Sequence, residues 1–246
     1  MTPPLVLLHA FPLNSRMFDQ IRPALAERVR LLTPDLRGFG AGPAIGDPPP
    51  APDLALLAAD VIAELDDAGI DRAIVGGVSM GGYIALAILR EYPERVAGLV
   101  LVDTRSGADD ATALERRRTA AERADQGDIA AGPDAIAPLI ADGTPAAVRA
   151  DLADIAWSVP AASIAWGQRA MAARPDSADL LSGARFPVLV VVGEKDGITP
   201  PAVARQMAAL APESELVELS GVGHLTPAED PDGFTDALLR WLARRF

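Results

Sequence analysis

The chain has 246 residues, half of them apolar, with a formal charge of −12 and a sequence pI of about 4.6. That length supports one large α/β domain with room for an insertion, and the acidity speaks against a nucleic-acid or anionic-membrane binder, which present basic faces. The absence of cysteine excludes disulfides, thiolate catalysis and thiolate metal sites.

Read in order, Met1-Thr2-Pro3-Pro4 carries no basic region ahead of its short apolar run and makes a poor signal peptide. No apolar stretch approaches the roughly 18 residues of a membrane span. A cytoplasmic protein that binds neither membrane nor nucleic acid is expected. Leu5-Val6-Leu7-Leu8 reads as a buried strand ending at His9-Ala10-Phe11-Pro12. Val29 to Thr33 reads as a second strand, stopped by Pro34-Asp35 and the turn Arg37-Gly38-Phe39-Gly40. After the Pro-rich stretch 43–52, Asp53 is placed to cap a helix whose Leu54, Leu57, Val61, Ile62 and Leu65 recur at helical spacing.

Ala73-Ile74-Val75 predicts a third strand, Ile84 to Glu91 a helix, Val96 to Val102 a fourth strand and Pro187 to Val192 a fifth. A helix over Ala202 to Leu210, a sixth strand over Glu215 to Leu219 and a closing helix over Phe234 to Arg245 complete the pattern. Continuous apolar strands alternating with helices mean a parallel sheet covered on both faces. From Arg105 to Ala184 the rhythm breaks. That segment predicts helices near 113–126, 129–141, 145–157 and 161–173 and no strand. It divides the chain into a core of 1–104 and 185–246 and a helical cap of 105–184, over the carboxyl edge where open α/β sheets bind ligands.

Three segments concentrate the chemistry. Gly77-Val78-Ser79-Met80-Gly81 lies between a strand and a helix. A turn that sharp needs glycines, lifts the Ser79 hydroxyl above the sheet edge, and aims the Met80 N–H and a helix N-terminus at the same point. A serine hydroxyl needs a base. His224, on the glycine loop after the last strand, is the candidate, since the only other histidine is His9. His9 is expected to brace its own loop. The base needs an orienting carboxylate. Asp196, after the fifth strand, completes the chain order Ser, Asp, His; Asp103 and Glu194 are its rivals. The Phe11 N–H is the candidate second oxyanion donor, because Pro12 has none.

HAFP at 9–12, DLRGFG at 35–40, GVSMGG at 77–82, YPERVAGLVLVDT at 92–104, GEKDGITP at 193–200 and GVGHLTP at 221–227 together resemble the α/β-hydrolase superfamily, serine-nucleophile branch, over nearly the whole chain. The resemblance implies an α/β-hydrolase fold with Ser79 as nucleophile, Asp196 as acid, His224 as base, and the Phe11 and Met80 N–H groups as oxyanion hole. Two features depart from the family: His-Ala replaces its usual His-Gly in the first loop, and its customary N-terminal hairpin is missing. A mainly parallel sheet of about six strands follows, with a bare edge that favours a homodimer.

Serine at the turn argues against dehalogenases and epoxide hydrolases of this fold, which carry Asp there. The expectation is a carboxylesterase taking a small, mostly apolar ester or lactone and no cofactor. Alternatives are a 3-oxoadipate-type enol-lactonase, a cofactor-free perhydrolase or haloperoxidase, a carbon–carbon bond hydrolase, and a slow-turnover ligand receptor. Arg105 would supply the cation an anionic lactone requires, whereas Arg116, Arg117 and Arg118 are expected to be solvated. Trp157 and Trp166 are candidate pocket residues among the apolar residues of the cap. No metal constellation and no dinucleotide or phosphate loop is present in the sequence.

Overall fold

The computed structural model describes residues 2–246. Six strands, β1 (Leu5–Leu8), β2 (Leu31–Leu32), β3 (Ala73–Val78), β4 (Val96–Val102), β5 (Val188–Gly193) and β6 (Ser214–Leu219), form one sheet in the order β2-β1-β3-β4-β5-β6. Every pairing is parallel, as the continuous apolar runs predict. The helices are α1 (Arg22–Ala26), α2 (Leu54–Asp67), α3 (Met80–Glu91), α4 (Ala111–Asp125), α5 (Pro133–Ile136), α6 (Ala146–Trp157), α7 (Ala161–Ala173), α8 (Ala178–Gly183), α9 (Pro201–Leu210), α10 (Thr226–Glu229) and α11 (Pro231–Arg245).

Side chains alternate across each strand and divide the core in two. Val6, Leu8, Val75, Leu99, Leu101 and Val190 face α2, α3 and α9. Leu5, Leu7, Ile74, Val100, Val102 and Val191 face Phe18, Leu25 and the Phe234, Leu238 and Trp241 stripe of α11. A strand buried on both faces has no polar side to write into its sequence, which is why these runs are unbroken. Asp53 caps α2 as expected, accepting from the Ala55 N–H at 2.9 Å.

Register sets the chemistry. Leu8 pairs with Gly77, Val78 with Val102, Val102 with Val191, and Gly193 with Leu219. The residues just past these strands, His9, Ser79, Asp103 and Glu194, therefore leave one edge of the sheet.

Three expectations shift. The second strand is only Leu31–Leu32, because the Val29 N–H closes α1 on the Leu25 carbonyl at 3.0 Å. The helix expected over 129–141 breaks into the four-residue α5 and a 3-10 turn, Ala137–Leu139. Pro133 starts the first piece, and Pro138, which lacks an N–H, ends it. The short helix α8 was not predicted. Between β4 and β5 the described residues hold five helices, α4 to α8, and no strand. Among the described residues no helix is long and apolar enough to cross a membrane.

Trp241 is the largest side chain with no exposure, set edge-on to Phe246 at 5.6 Å. Trp241→Ala is expected to cost about 3–5 kcal/mol, measured as a lowered urea midpoint at unchanged m-value.

Candidate active site

Ser79 stands between β3 and α3 with φ 53° and ψ −111°. A non-glycine residue in this region costs on the order of 1–3 kcal/mol and persists only where its surroundings impose it. Here they do. The Ser79 N–H donates to the Val102 carbonyl at 2.9 Å, and the Thr104 hydroxyl donates to the Ser79 carbonyl at 2.8 Å. The flanking glycines are steric necessities. A Cβ on Gly77 would sit 2.1 Å from the Gly81 carbonyl carbon, and one on Gly81 would sit 2.1 Å from the Leu8 oxygen. A Cβ on Gly82 would meet Thr104 Oγ1 at 2.5 Å.

The turn delivers the Ser79 hydroxyl to His224. Ser79 Oγ lies 2.8 Å from His224 Nε2, and His224 Nδ1 lies 2.8 Å from Asp196 Oδ2. Both His224 and Asp196 are buried. Asp196 also accepts from the Ile198 N–H, the Thr199 N–H and the Thr199 hydroxyl, at 2.8, 2.9 and 2.7 Å. Burial alone would push its carboxyl up, but the hydrogen bonds from His224 and Thr199 outweigh it and hold it below the ordinary value. An ionised Asp196 keeps the proton on Nδ1 and leaves Nε2 free to accept from the serine. Such an arrangement can deprotonate a hydroxyl as it attacks a carbonyl.

The rival acids have other work. Glu194 accepts from the Gly221 N–H at 2.8 Å. Asp103, at φ 45°, accepts from the Gly193 N–H at 3.0 Å and the Thr226 N–H at 2.9 Å, tying the ends of β4 and β5 to the turn that follows His224. Burial pushes its carboxyl up to about 7, Asp196 adds to the rise, and His224 and the two N–H groups only partly oppose it.

His9 is fully buried and braces two loops: its Nδ1 is 3.0 Å from the Ala10 carbonyl, and its Nε2 accepts from the Leu36 N–H at 3.0 Å. Accepting at Nε2 requires the neutral ring. The Phe11 and Met80 N–H groups, one beside His9 and one opening α3, have no acceptor among the described residues.

One carboxylate escaped the sequence reading. Glu229 accepts from the N–H groups of Gly223 and Leu225, on either side of His224, at 3.2 and 3.1 Å. It also accepts from the Ala141 N–H at 2.8 Å and the Thr144 hydroxyl at 2.6 Å. The His224 N–H in turn donates to the Leu139 carbonyl at 2.8 Å. The histidine loop is thus tied to the helical insertion through one carboxylate and one backbone bond. The only sequence hint was an acid five residues after the histidine.

The expected pocket residues are scattered. Trp157 ends α6 and is 65% exposed, because Leu152, Ile155 and Ala156 take the buried face. Its indole lies over Gly132, where a Cβ would meet Nε1 at 2.1 Å. Trp166 is buried and donates from Nε1 to the Pro50 carbonyl at 2.9 Å, fastening α7 to the Pro-rich loop. Arg105 lines a cavity with Tyr83 and Arg174 that contains none of Ser79, Asp196 and His224. Arg117, expected to be solvated, is largely covered and pairs with Asp109. A separate cavity of about 300 Å³ opens beside Phe11 and Pro12, lined by Leu139, Ile164, Ile129, Pro138 and Gln168 and by the charged Arg123, Asp128 and Asp134; it too contains none of Ser79, Asp196 and His224. Among the described residues no cluster of three His, Asp or Glu could hold a metal.

A parallel α/β sheet thus brings serine, histidine and aspartate together at its carboxyl edge. The family model described as "Alpha/beta hydrolase family" matches residues 5–237. The chain belongs to that family. It is 30% identical, over 94% of each chain, to the pimeloyl-[acyl-carrier protein] methyl ester esterase of Aromatoleum aromaticum. The structure of a thermophilic esterase from Thermogutta terrifontis superposes with a TM-score of 0.93 at 35% identity, over 98% of this chain and 90% of that one. The enol-lactonase of Burkholderia xenovorans superposes with a TM-score of 0.85 at 25% identity, over 99% and 92%. The expectation of a carboxylic ester hydrolase agrees with these relatives.

Burial lowers the His9 imidazole to about 4. Its folded value lies below the unfolded one, so its contribution to stability is present above about 6.5 and is lost as pH falls toward 4. Asp103 acts with the opposite sign: its contribution is present below about 4 and is lost as pH rises through 7. The two offset in the wild type, and a variant separates them. From pH 7 to pH 5 the wild type is expected to lose about 2 kcal/mol relative to His9→Gln, measured by urea unfolding of both proteins.

Proposed function

We propose that the protein is a serine hydrolase that cleaves small, largely apolar carboxylic esters through an acyl-enzyme on Ser79. The observation that supports this best is the continuous line from Ser79 Oγ through His224 to Asp196, with 2.8 Å at each step. His224 Nε2 takes the hydroxyl proton as Ser79 Oγ attacks the ester carbonyl. The oxyanion that forms is received by the N–H groups of Phe11 and Met80, which have no protein acceptor to abandon. His224 then passes its proton to the leaving alcohol. Water, deprotonated by the same histidine, releases the acid. Asp196 stays ionised throughout and stabilises the imidazolium.

Residues 105–184 serve as a cap over this chemistry. Helix α7 lies close on Phe11, where a Cβ on Gly167 would come within 3.1 Å of the ring. The cavity walled by Phe11, Leu139 and Ile164 takes the apolar part of the substrate. An apolar ester is favoured over an anionic lactone because Arg105 lines a different cavity and Arg123, which lines this one, is exposed and paired with Asp128.

With p-nitrophenyl esters from acetate to octanoate, turnover should depend on chain length, and Ser79→Ala should lower kcat/KM by on the order of 10,000-fold or more. Ile164→Trp should shift the preference toward shorter acyl chains. Absence of turnover in the wild type, or activity that survives in Ser79→Ala, would reject the reading.

A further inference from the structure

A second cavity, of about 230 Å³, lies between the start of α2, the outer face of α3, the segment after β4 and the end of α7. It holds none of the residues assigned to ester cleavage. Its walls combine apolar surface from Leu54, Leu86 and Ala87 with three arginines, Arg90, Arg105 and Arg174. An apolar cavity of roughly 150 Å³ already admits benzene, so a small organic molecule fits.

The arginines are not equivalent. Arg90 donates to the Asp176 carbonyl and the Ser177 hydroxyl and lies 3.8 Å from Asp179. Arg174 is more than nine-tenths buried. Its guanidinium stacks 4.1 Å above the Tyr83 ring, while its terminal nitrogens reach the Met171 and Gly107 carbonyls and Asp109. Burial pushes Asp109 up, but Arg174 and Arg117 outweigh it and hold it at about 2, so it stays ionised. Arg105 donates one terminal nitrogen to the Ile198 carbonyl at 2.7 Å and forms no ion pair among the described residues.

Two buried donors remain. The Nε–H groups of Arg105 and Arg174 are shielded from solvent and have no acceptor. A buried charged donor left unpaired is costly, and two of them border one cavity. The two acids that also touch it, Asp53 and Glu91, are exposed at its rim. Arg174 is already paired with Asp109, so the cation of the inner wall that lacks an ion pair is Arg105, beside an apolar floor.

We infer that this cavity is a binding site for a small carboxylate with a short apolar chain, held by Arg105 and separate from the serine centre. The planar guanidinium of Arg105 matches the two oxygens of a carboxylate. Leu54, Leu86 and Ala87 receive the chain, a part that inorganic phosphate lacks. The site does not depend on the ester-hydrolase reading.

Calorimetric titration with butanoate at pH 7 tests this, with inorganic phosphate as a second probe. Saturable one-to-one binding, with Kd on the order of 1 mM, is expected in the wild type and in Ser79→Ala. Arg105→Gln should weaken it at least tenfold. Ala87→Leu, which fills the cavity and leaves every arginine in place, should weaken it as much. Ile164→Trp, which fills the cavity beside Phe11, should leave it unchanged. No saturable binding, binding that survives both Arg105→Gln and Ala87→Leu, or binding lost in Ile164→Trp would overturn the site. Phosphate binding more tightly than butanoate would overturn the carboxylate assignment.

Discussion

The strained backbone of Ser79 is the constraint on which the rest of the site depends. At φ 53° the chain reverses between β3 and α3 within one residue. Nothing local stabilises that conformation in a serine. It is held by the Val102 carbonyl on one side and the Thr104 hydroxyl on the other, both from β4 and its exit. The strain is met by pairing β3 with β4 in register, and so is stored in the sheet. The same turn forces Gly77 and Gly81 into contacts no side chain would survive. It also presents the first amides of α3 beside the hydroxyl.

A second layer of constraint positions the partner of that serine. His224 sits on a loop between β6 and α10 with little regular structure of its own. Glu229 and Asp103 supply what the loop lacks. Glu229 gathers the amides on both sides of the histidine and binds them to the helical insertion, and Asp103 anchors the following Thr226 amide to the end of β5. Asp103 and Asp196, both buried beside one histidine, are costly in charge. The cost is lowered by the raised proton affinity of Asp103, which lets one of them go neutral near pH 7. The proposed base is thereby held by core and insertion together, so movements of the insertion bear on its position.

The expected elements held best where a segment is buried on both faces. β4 runs from Val96 to Val102 as expected, because a continuous apolar run flanked by polar residues has one way to be buried. The weaker expectations fall where tertiary contacts compete with local preference. Val29 reads as strand but closes α1, and 129–141 reads as one helix but carries prolines at 133 and 138. Tryptophans in the insertion read as pocket lining because size and apolarity suggest burial. Yet Trp157 lies at the end of α6, where the four residues that face inward leave it outside.

By itself, the sequence determined the strand order in the chain, the glycine spacing around Ser79, and the identities of the few residues able to act as base and acid. These follow from local sterics and from scarcity, since a chain with two histidines offers little choice. Only the tertiary structure decided which carboxylate meets His224. Asp103, Glu194 and Asp196 all lie past the same sheet edge, and the turn after β5, closed by the Asp196 N–H on the Gly193 carbonyl, brings Asp196 to Nδ1. It likewise decided that Glu229 clamps the histidine loop and that Arg105 faces a cavity of its own, because both depend on how the insertion packs across segments far apart in the chain.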